Sequence, residues 1–307
     1  MTIDQLRYAV LVSKTGSITE AARQLFISQP SLSASLHALE TEIGIRIFRR
    51  TNRGVTVTGE GEKFLGYARQ VIDEMDLIAE QYLGENEVRH RFCVSTQHYS
   101  FAVKAFSELI RRFGGSSYEF RIRETRTYEI IEDVAQLRSS VGILFWNPFN
   151  RSALHRVLLD HELVFHPLFT ASPHVFVGRR SPLAEKQSLK MEDLDPYPRL
   201  SYEQGEHNSF FFSEEIQSTR HCSKDICVSD RATLFNLLIG LDGYTICSGV
   251  LNTDLNGSDI VSRPLEVDDC MHIGYITPRE SVPGYFTACY IDLLKQYASP
   301  DEGQDSR

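Results

Sequence analysis

The first part of the chain carries its apolar residues at helical spacing. Leu6, Val10 and Val12 predict a helix over about residues 3–14, ended by Gly16. Ser17-Ile18-Thr19-Glu20 has the form of a capping box, so a second helix is expected from about Ile18, with Ala21, Ala22 and Leu25 turned inward. Phe26-Ile27-Ser28 reads as a short turn. A third helix opens at Ser28-Gln29-Pro30, where proline in the first turn gives up no hydrogen bond. Leu32, Leu36, Leu39 and Ile43 lie four, three and four residues apart and predict one buried stripe before Gly44. Residues 45–58 alternate like a β-hairpin with Asn52-Arg53-Gly54 in or near its turn.

A longer pattern follows. From Glu60 to Tyr82, the residues Phe64, Ala68, Val71, Met75, Ile78 and Tyr82 recur at spacings of 4, 3, 4, 3 and 4, with Leu65, Ile72 and Ala79 beside them. This heptad seam predicts a helix that either pairs with a second copy of itself or packs along another helix. Residues 84–90 are polar and read as a hinge.

Beyond it the pattern changes to short apolar runs between helical segments. Strands are expected at Phe92–Ser95, Tyr118–Arg123 and Val141–Phe145, with helices over about 100–113 and 128–137. Leu163–Leu168 and His174–Val177 read as the start of a second lobe. Ile226–Val228 and Thr245–Cys247 supply further strands around a helix at Thr233–Leu241. The chain then returns through Arg263-Pro264-Leu265 and His272–Ile276 to a closing helix at Tyr285–Tyr297. Alternating strands and helices imply a mostly parallel sheet with ligands at the strand ends.

Charge changes the picture. The chain of 307 residues has a net charge of −9, which by itself argues against nucleic acid. Residues 1–58, however, hold seven basic and four acidic residues, whereas residues 59–87 hold two basic and eight acidic ones. DNA feels the local field of the face that docks, since charges beyond ~8–10 Å are screened. On the third helix the face opposite the leucine stripe is small and polar: Pro30, Ser33, Ala34 and His37. Such a face fits a major groove, where serine reaches base edges or phosphates and alanine a thymine methyl. The hairpin would set Arg49, Arg50 and Arg53 against phosphates or the minor groove. The same segment could serve only as a packing module. The capping box, the proline-led helix and the basic wing together favour DNA binding.

These runs also carry a resemblance. Thr19-Glu20-Ala21-Ala22-Arg23-Gln24-Leu25, Ser28-Gln29-Pro30-Ser31-Leu32-Ser33, Leu39-Glu40 and Gly44-Ile45-Arg46-Ile47-Phe48-Arg49-Arg50 closely resemble the LysR-type transcriptional regulators. Thr58-Gly59-Glu60-Gly61 matches that family's passage into a linker helix. The resemblance implies an α/β fold class: an N-terminal winged helix-turn-helix plus linker helix, then a two-lobed effector domain like the type 2 periplasmic binding proteins. The expected divisions are 1–58 for DNA binding, 59–88 for dimerisation and hinge, and 89–307 for the effector. Lobe 1 would span about 89–163 and 268–300, and lobe 2 about 164–267. On matching positions, Ser28, Gln29, Pro30, Ser31, Ser33, Ala34 and His37 would face bases or phosphates. Arg50 and Arg53 would lie on the backbone or in the minor groove. Ala34 departs from the arginine or glutamine common in the family, which shifts base discrimination toward Gln29, Ser33 and His37.

The resemblance also implies a small-molecule effector between the lobes. The matching positions are Thr96, Gln97, His98, Tyr99 and Ser100, then Thr125, Arg126 and Thr127, then Phe145, and in the second lobe Tyr202, Glu203, Ser229 and Asp230. Helix N-terminal amides with nearby hydroxyls suit a carboxylate, sulfate or similar anion, with Arg126 as a clamp and His98 as a pH-sensitive contact. Each residue is equally open to reading as an ordinary loop residue or cap. Trp146 is expected to pack, and the aromatic run in 207–214 either covers the cleft or lies beneath it. The implied partners are double-stranded DNA with a two-fold-related operator, RNA polymerase, and a second copy in a dimer or tetramer.

No G-x-S-x-G, H-E-x-x-H or G-x-x-x-x-G-K-[ST] pattern occurs, so no catalytic residue and no enzyme activity is expected. Cys222 and Cys227 lack a second ligand pair, so no metal or other cofactor is expected. Without an apolar run of bilayer length or a secretion signal, a cytoplasmic protein is expected. The alternative to a regulator is a small-molecule-binding protein with no role on DNA.

Overall fold

The structure is a computed structural model and describes residues 1–51, 54–83, 90–114, 117–207, 209–251 and 257–297. The chain divides into two compact units: Met1–Arg91 with Gly115–Glu119 and Gln136–Arg138, and the remainder.

The first unit is built by local signals. Helix α1 (Ile3–Thr15) starts at a complete capping box between Thr2 and Gln5 and stops at Gly16, whose φ of 65° is the left-handed conformation glycine favours. Helix α2 (Ile18–Gln24) is capped by Ser17, which accepts from the Glu20 amide. Its expected reciprocal bond is replaced: the Glu20 carboxylate turns forward to Arg23 and Gln24. Helix α3 (Gln29–Ile43) is capped by Ser28 and ended by Gly44. Leu32, Leu36 and Leu39 are buried against Ala9, Val12, Ala21 and Ala22. Each such leucine contributes ~1.5–3 kcal/mol by leaving water.

Strands β1 (Phe48–Thr51) and β2 (Gly54–Val57) pair antiparallel as the wing. Arg53 and Asn52, expected at its tip, lie outside the described residues. The wing is anchored at both ends. Glu40 accepts from the Ile47 and Phe48 amides at 2.8 and 3.0 Å, and the Val55 amide donates to the Gly16 carbonyl at 2.9 Å. A Cβ on Gly54 would stand 2.5 Å from that carbonyl oxygen, so this close approach requires glycine. Helix α4 (Gly59–Leu83) follows at once. Thr58 accepts from the Gly61 amide and donates to the Arg46 carbonyl, which locks the wing to the start of α4.

Lying in the second unit apart from the first residues of β3 and β4, the strands β3 (His90–Thr96), β4 (Tyr118–Glu124), β5 (Val141–Trp146), β6 (Leu163–Ala171) and β12 (Met271–Pro278) form one five-stranded sheet, in the order β4-β3-β5-β12-β6. Helices α5 (Ser100–Phe113), α6 (Thr127–Ala135), α7 (Arg151–Asp160) and α9 (Tyr285–Tyr297) accompany it. The second sheet runs β11-β7-β10-β8-β9, with β7 (His174–Gly178), β8 (Arg199–Tyr202), β9 (Asp225–Val228), β10 (Tyr244–Cys247) and β11 (Ile260–Pro264). Helix α8 (Arg231–Gly240) packs Leu234 and Leu238 against Phe176, Leu200 and Ile260 of this sheet.

Three expectations are corrected here. The sheets are mixed, because β12 pairs antiparallel with both β5 and β6, and β7 pairs antiparallel with β10 and β11. Strand β6 does not open the second lobe. It pairs with β12 from Leu163 to Ala171, so the first lobe reaches Ala171 rather than about 163. Pro167 fits this edge position, where one ladder bond is not needed. Helix α7, which buries Leu154 and Leu158, was not anticipated. Among the described residues, no helix is long and apolar enough to cross a membrane.

Candidate functional site

The α3 face expected to meet DNA is presented by the caps just described. Ser28, Gln29, Pro30, Ser31, Ala34 and His37 are exposed, and Ser33 is half-buried. They are pre-arranged by short bonds. The Ser28 and Ser31 hydroxyls meet at 2.7 Å, and the Gln29 amide donates to the Ser33 hydroxyl at 2.8 Å. Arg49 and Arg50 are exposed on β1. Sequence reasoning passed over one residue on this side. Phe26, in the turn before α3, is 95% exposed and has a φ of 54°. A non-glycine residue in the left-handed region is uncommon, and here it holds an apolar ring in water beside α3. The only sequence signal was a phenylalanine in an otherwise short turn.

The seam of α4 is divided. Phe64 and Ala68 are taken up within the chain by Leu6, Ile3 and Val10 of α1, together with Ile72. Leu65 is buried in the core beneath α3. Tyr67, Val71, Met75, Ile78 and Tyr82 form a second apolar row that stays exposed. At 100° per residue, the two rows lie side by side on the helix. The apolar arc is therefore too wide for α1 alone. The hinge expected at 84–90 lies outside the described residues, apart from His90 at the start of β3.

The cleft residues come together, but in other roles than expected. Gln97 is buried. Its amide donates to the Thr127 hydroxyl at 2.7 Å, and its carbonyl accepts from the Tyr99 hydroxyl and the Phe145 amide at 3.1 Å each. These are structural bonds that join β3, β5 and α6. Thr96 is likewise buried, and bonds the Gln97 carbonyl. Ser100 donates to the Val250 carbonyl at 3.2 Å. The Thr127 amide, at the start of α6, already donates to Gln204 at 3.0 Å. Asp230 caps α8 by accepting from the Thr233 amide at 2.8 Å, and Ser229 is exposed beside it.

The polar groups of the expected anion subsite have partners within the chain. The His98 amide and ring, expected to meet an anionic ligand, hold the Glu214 carboxylate at 3.0 and 2.9 Å. The His98 ring also stacks on Tyr202 with 3.7 Å between centroids. Arg126 is paired with Glu203 and with Glu129 rather than open to a ligand. Thr125 donates to Glu129. Arg231 is paired with Glu124, and burial lowers its pKa to about 10. The positive groups around the cleft are thus already matched by carboxylates of the chain. A cavity of about 560 Å³, counted with the solvent at its mouth, lies against His98, Tyr202, Glu214, Glu215, Phe235 and Leu251.

Glu215 is the outlying group. It is buried, accepts from the Tyr202 amide at 2.9 Å, and stands beside Glu214. Burial first, and the Glu214 charge second, push its pKa to about 8. From the unfolded carboxylate value up to about 8, the folded chain keeps a proton that the unfolded chain releases. Stability therefore falls as pH rises through that window. Glu215→Gln removes the titration and keeps the shape of the neutral acid. The variant is expected to match the parent near pH 5 and to exceed it by roughly 2–4 kcal/mol near pH 8.5. Urea unfolding at both pH values tests this; a constant difference between the proteins would mean Glu215 is ionised in the fold.

Comparisons with known proteins match both units. A family model described as "Bacterial regulatory helix-turn-helix protein, lysR family" matches residues 3–62, and one described as "LysR substrate binding domain" matches residues 87–299. The chain is 31% identical over 204 residues to the "Uncharacterized HTH-type transcriptional regulator YnfL" of Escherichia coli, a stretch spanning 64% of this chain and 64% of that relative. It is 26% identical over 245 residues to the "HTH-type transcriptional regulator AlsR" of Bacillus subtilis, spanning 78% of this chain and 77% of the relative. A solved structure of a full-length OxyR variant from Pseudomonas aeruginosa is similar with a TM-score of 0.59 at 20% identity, over 97% of this chain and 94% of that one. That last likeness concerns the fold.

Proposed function

The chain belongs to the LysR family of bacterial transcriptional regulators, and on that footing we propose that it binds a specific operator and switches transcription in response to a small molecule. Two copies join along the exposed row of α4. Each lays α3 in a major groove, with Ser28, Gln29, Pro30, Ser31, Ser33, Ala34 and His37 toward the duplex. Phe26 adds an apolar contact to a sugar or thymine methyl. Arg50 and Arg53 hold the backbone or enter the minor groove. The observation that carries this reading is the capped, polar, outward face of α3 beside an arginine-bearing wing.

The effector occupies the cavity at His98, Tyr202 and Glu215. It biases one arrangement of the lobes over another, which alters the spacing of the two α3 helices and the contacts made to RNA polymerase. The protein works in the cytoplasm and performs no catalysis. Hydroxyl-radical footprinting on the DNA flanking its own gene tests the proposal. Two protected half-sites, one helical turn or a multiple of it apart, are expected. A protein that binds small molecules yet protects no DNA is instead a receptor without a role on DNA.

A further inference from the structure

A second cavity opens on the other side of Glu215. It has a volume of about 400 Å³ and is separate from the effector cleft, with only Glu215 common to both linings. That figure counts the solvent at its mouth. Phe145, one of the expected effector residues, lines this cavity.

Its chemistry is one-sided. Among the described residues that line it there is no lysine, arginine or histidine. Two acidic side chains line it: Asp269, and Glu215, whose proton the fold holds up to about pH 8. Asp269 is held only loosely: Asn147 donates to it at 3.3 Å and Gln217 at 3.5 Å, with the Cys270 amide at 2.8 Å as its one short bond. Asn147 and Asn150 are buried and fix one another by reciprocal amide-to-side-chain bonds of 2.8 and 3.0 Å. Asn147 and Asn150 are therefore fixed, while Asp269 has a single short hydrogen bond.

An apolar lip borders the cavity. Phe149 and Phe210 line the cavity and remain about half exposed, and Phe211 stacks on Phe149 with 4.9 Å between centroids. Three neighbouring aromatic rings in water form an unsatisfied apolar patch.

We propose that this cavity binds an organic cation, its charge on Asp269 and its apolar groups against Phe149 and Phe210. Aromatic faces attract cations as well as hydrocarbon, so the lip and the acid select the same ligand. An anion finds no counter-charge here.

Choline is the probe, against its neutral isostere 3,3-dimethylbutan-1-ol and the anion 3,3-dimethylbutyrate. Trp146, the chain's only tryptophan, directly precedes Asn147 and supplies a fluorescence readout. Choline is expected to change this signal saturably and to bind at least roughly tenfold more tightly than either control. Asp269→Asn is expected to weaken choline by about fivefold or more while leaving the neutral isostere unchanged. Phe149→Ala, an exposed position that does not endanger the fold, is expected to weaken both. Equal affinity for the isostere, tighter binding of the anion, no response to choline, or unchanged choline affinity in Asp269→Asn would each overturn the proposal.

Discussion

Met75→Glu is expected to turn the dimer into monomers and to lower operator affinity by roughly 100-fold or more. Met75 lies in the exposed row of α4, between Val71 and Ile78, and is 41% exposed in the single chain. In a two-fold interface each substitution appears twice, so two carboxylates enter one apolar seam. Burying an unpaired charge costs several kcal/mol, more than a helix seam of this length can offset. The fold of the protomer is untouched, because α1 covers the other row, at Ala68 and Ile72. Once the link between two recognition helices is lost, the second half-site is no longer bound at high effective concentration. Sedimentation velocity and fluorescence anisotropy on the same preparation check both halves. An intact dimer would place the interface elsewhere on the molecule.

Ser33→Glu is expected to cost a similar factor in DNA affinity by a different route, with the dimer intact. Ser33 sits on the outward face of α3 and receives the Gln29 side chain at 2.8 Å. A carboxylate there repels the phosphates and offers only acceptors to the acceptor-rich edge of guanine. A good base contact is worth ~1–3 kcal/mol, and the complex contains two copies of the site. The leucine stripe is on the opposite face, so thermal stability is expected to change little. Unchanged affinity for the operator would mean that α3 presents a different face to the duplex.

What could be read in the sequence follows from how local each cause is. Helices α1, α2 and α3 and the wing were legible because their caps, turns and stripes lie within a few residues of one another. Even there, the Ser17–Glu20 box closed only on one side, because Arg23 and Gln24 compete for the same carboxylate. The seam of α4 was visible as a period. Its division was not, since that depends on where Leu6 and Val10 come to rest. Strand β6 went to the wrong lobe because alternation shows that a strand exists and not which sheet receives it.

The cleft was legible as a list of positions, while the partners of its charged groups were not. His98 and Arg126 looked available because their partners are distant in the chain. Glu214 lies 116 residues from His98, and Glu203 lies 77 residues from Arg126. The raised pKa of Glu215 has the same origin: it comes from burial and from Glu214, and burial is decided by the fold. Phe26 shows the reverse case. Its meaning lies in a backbone angle and an exposure that no residue pattern contains.

The most direct measurement is the equilibrium affinity of the purified full chain for the duplex upstream of its own gene, set against a scrambled duplex of equal length at the same salt. The account predicts two protomers per specific duplex and a preference of roughly 10³-fold or more over the scrambled one. Equal affinity for the two duplexes, or no binding to either at low salt, would contradict it.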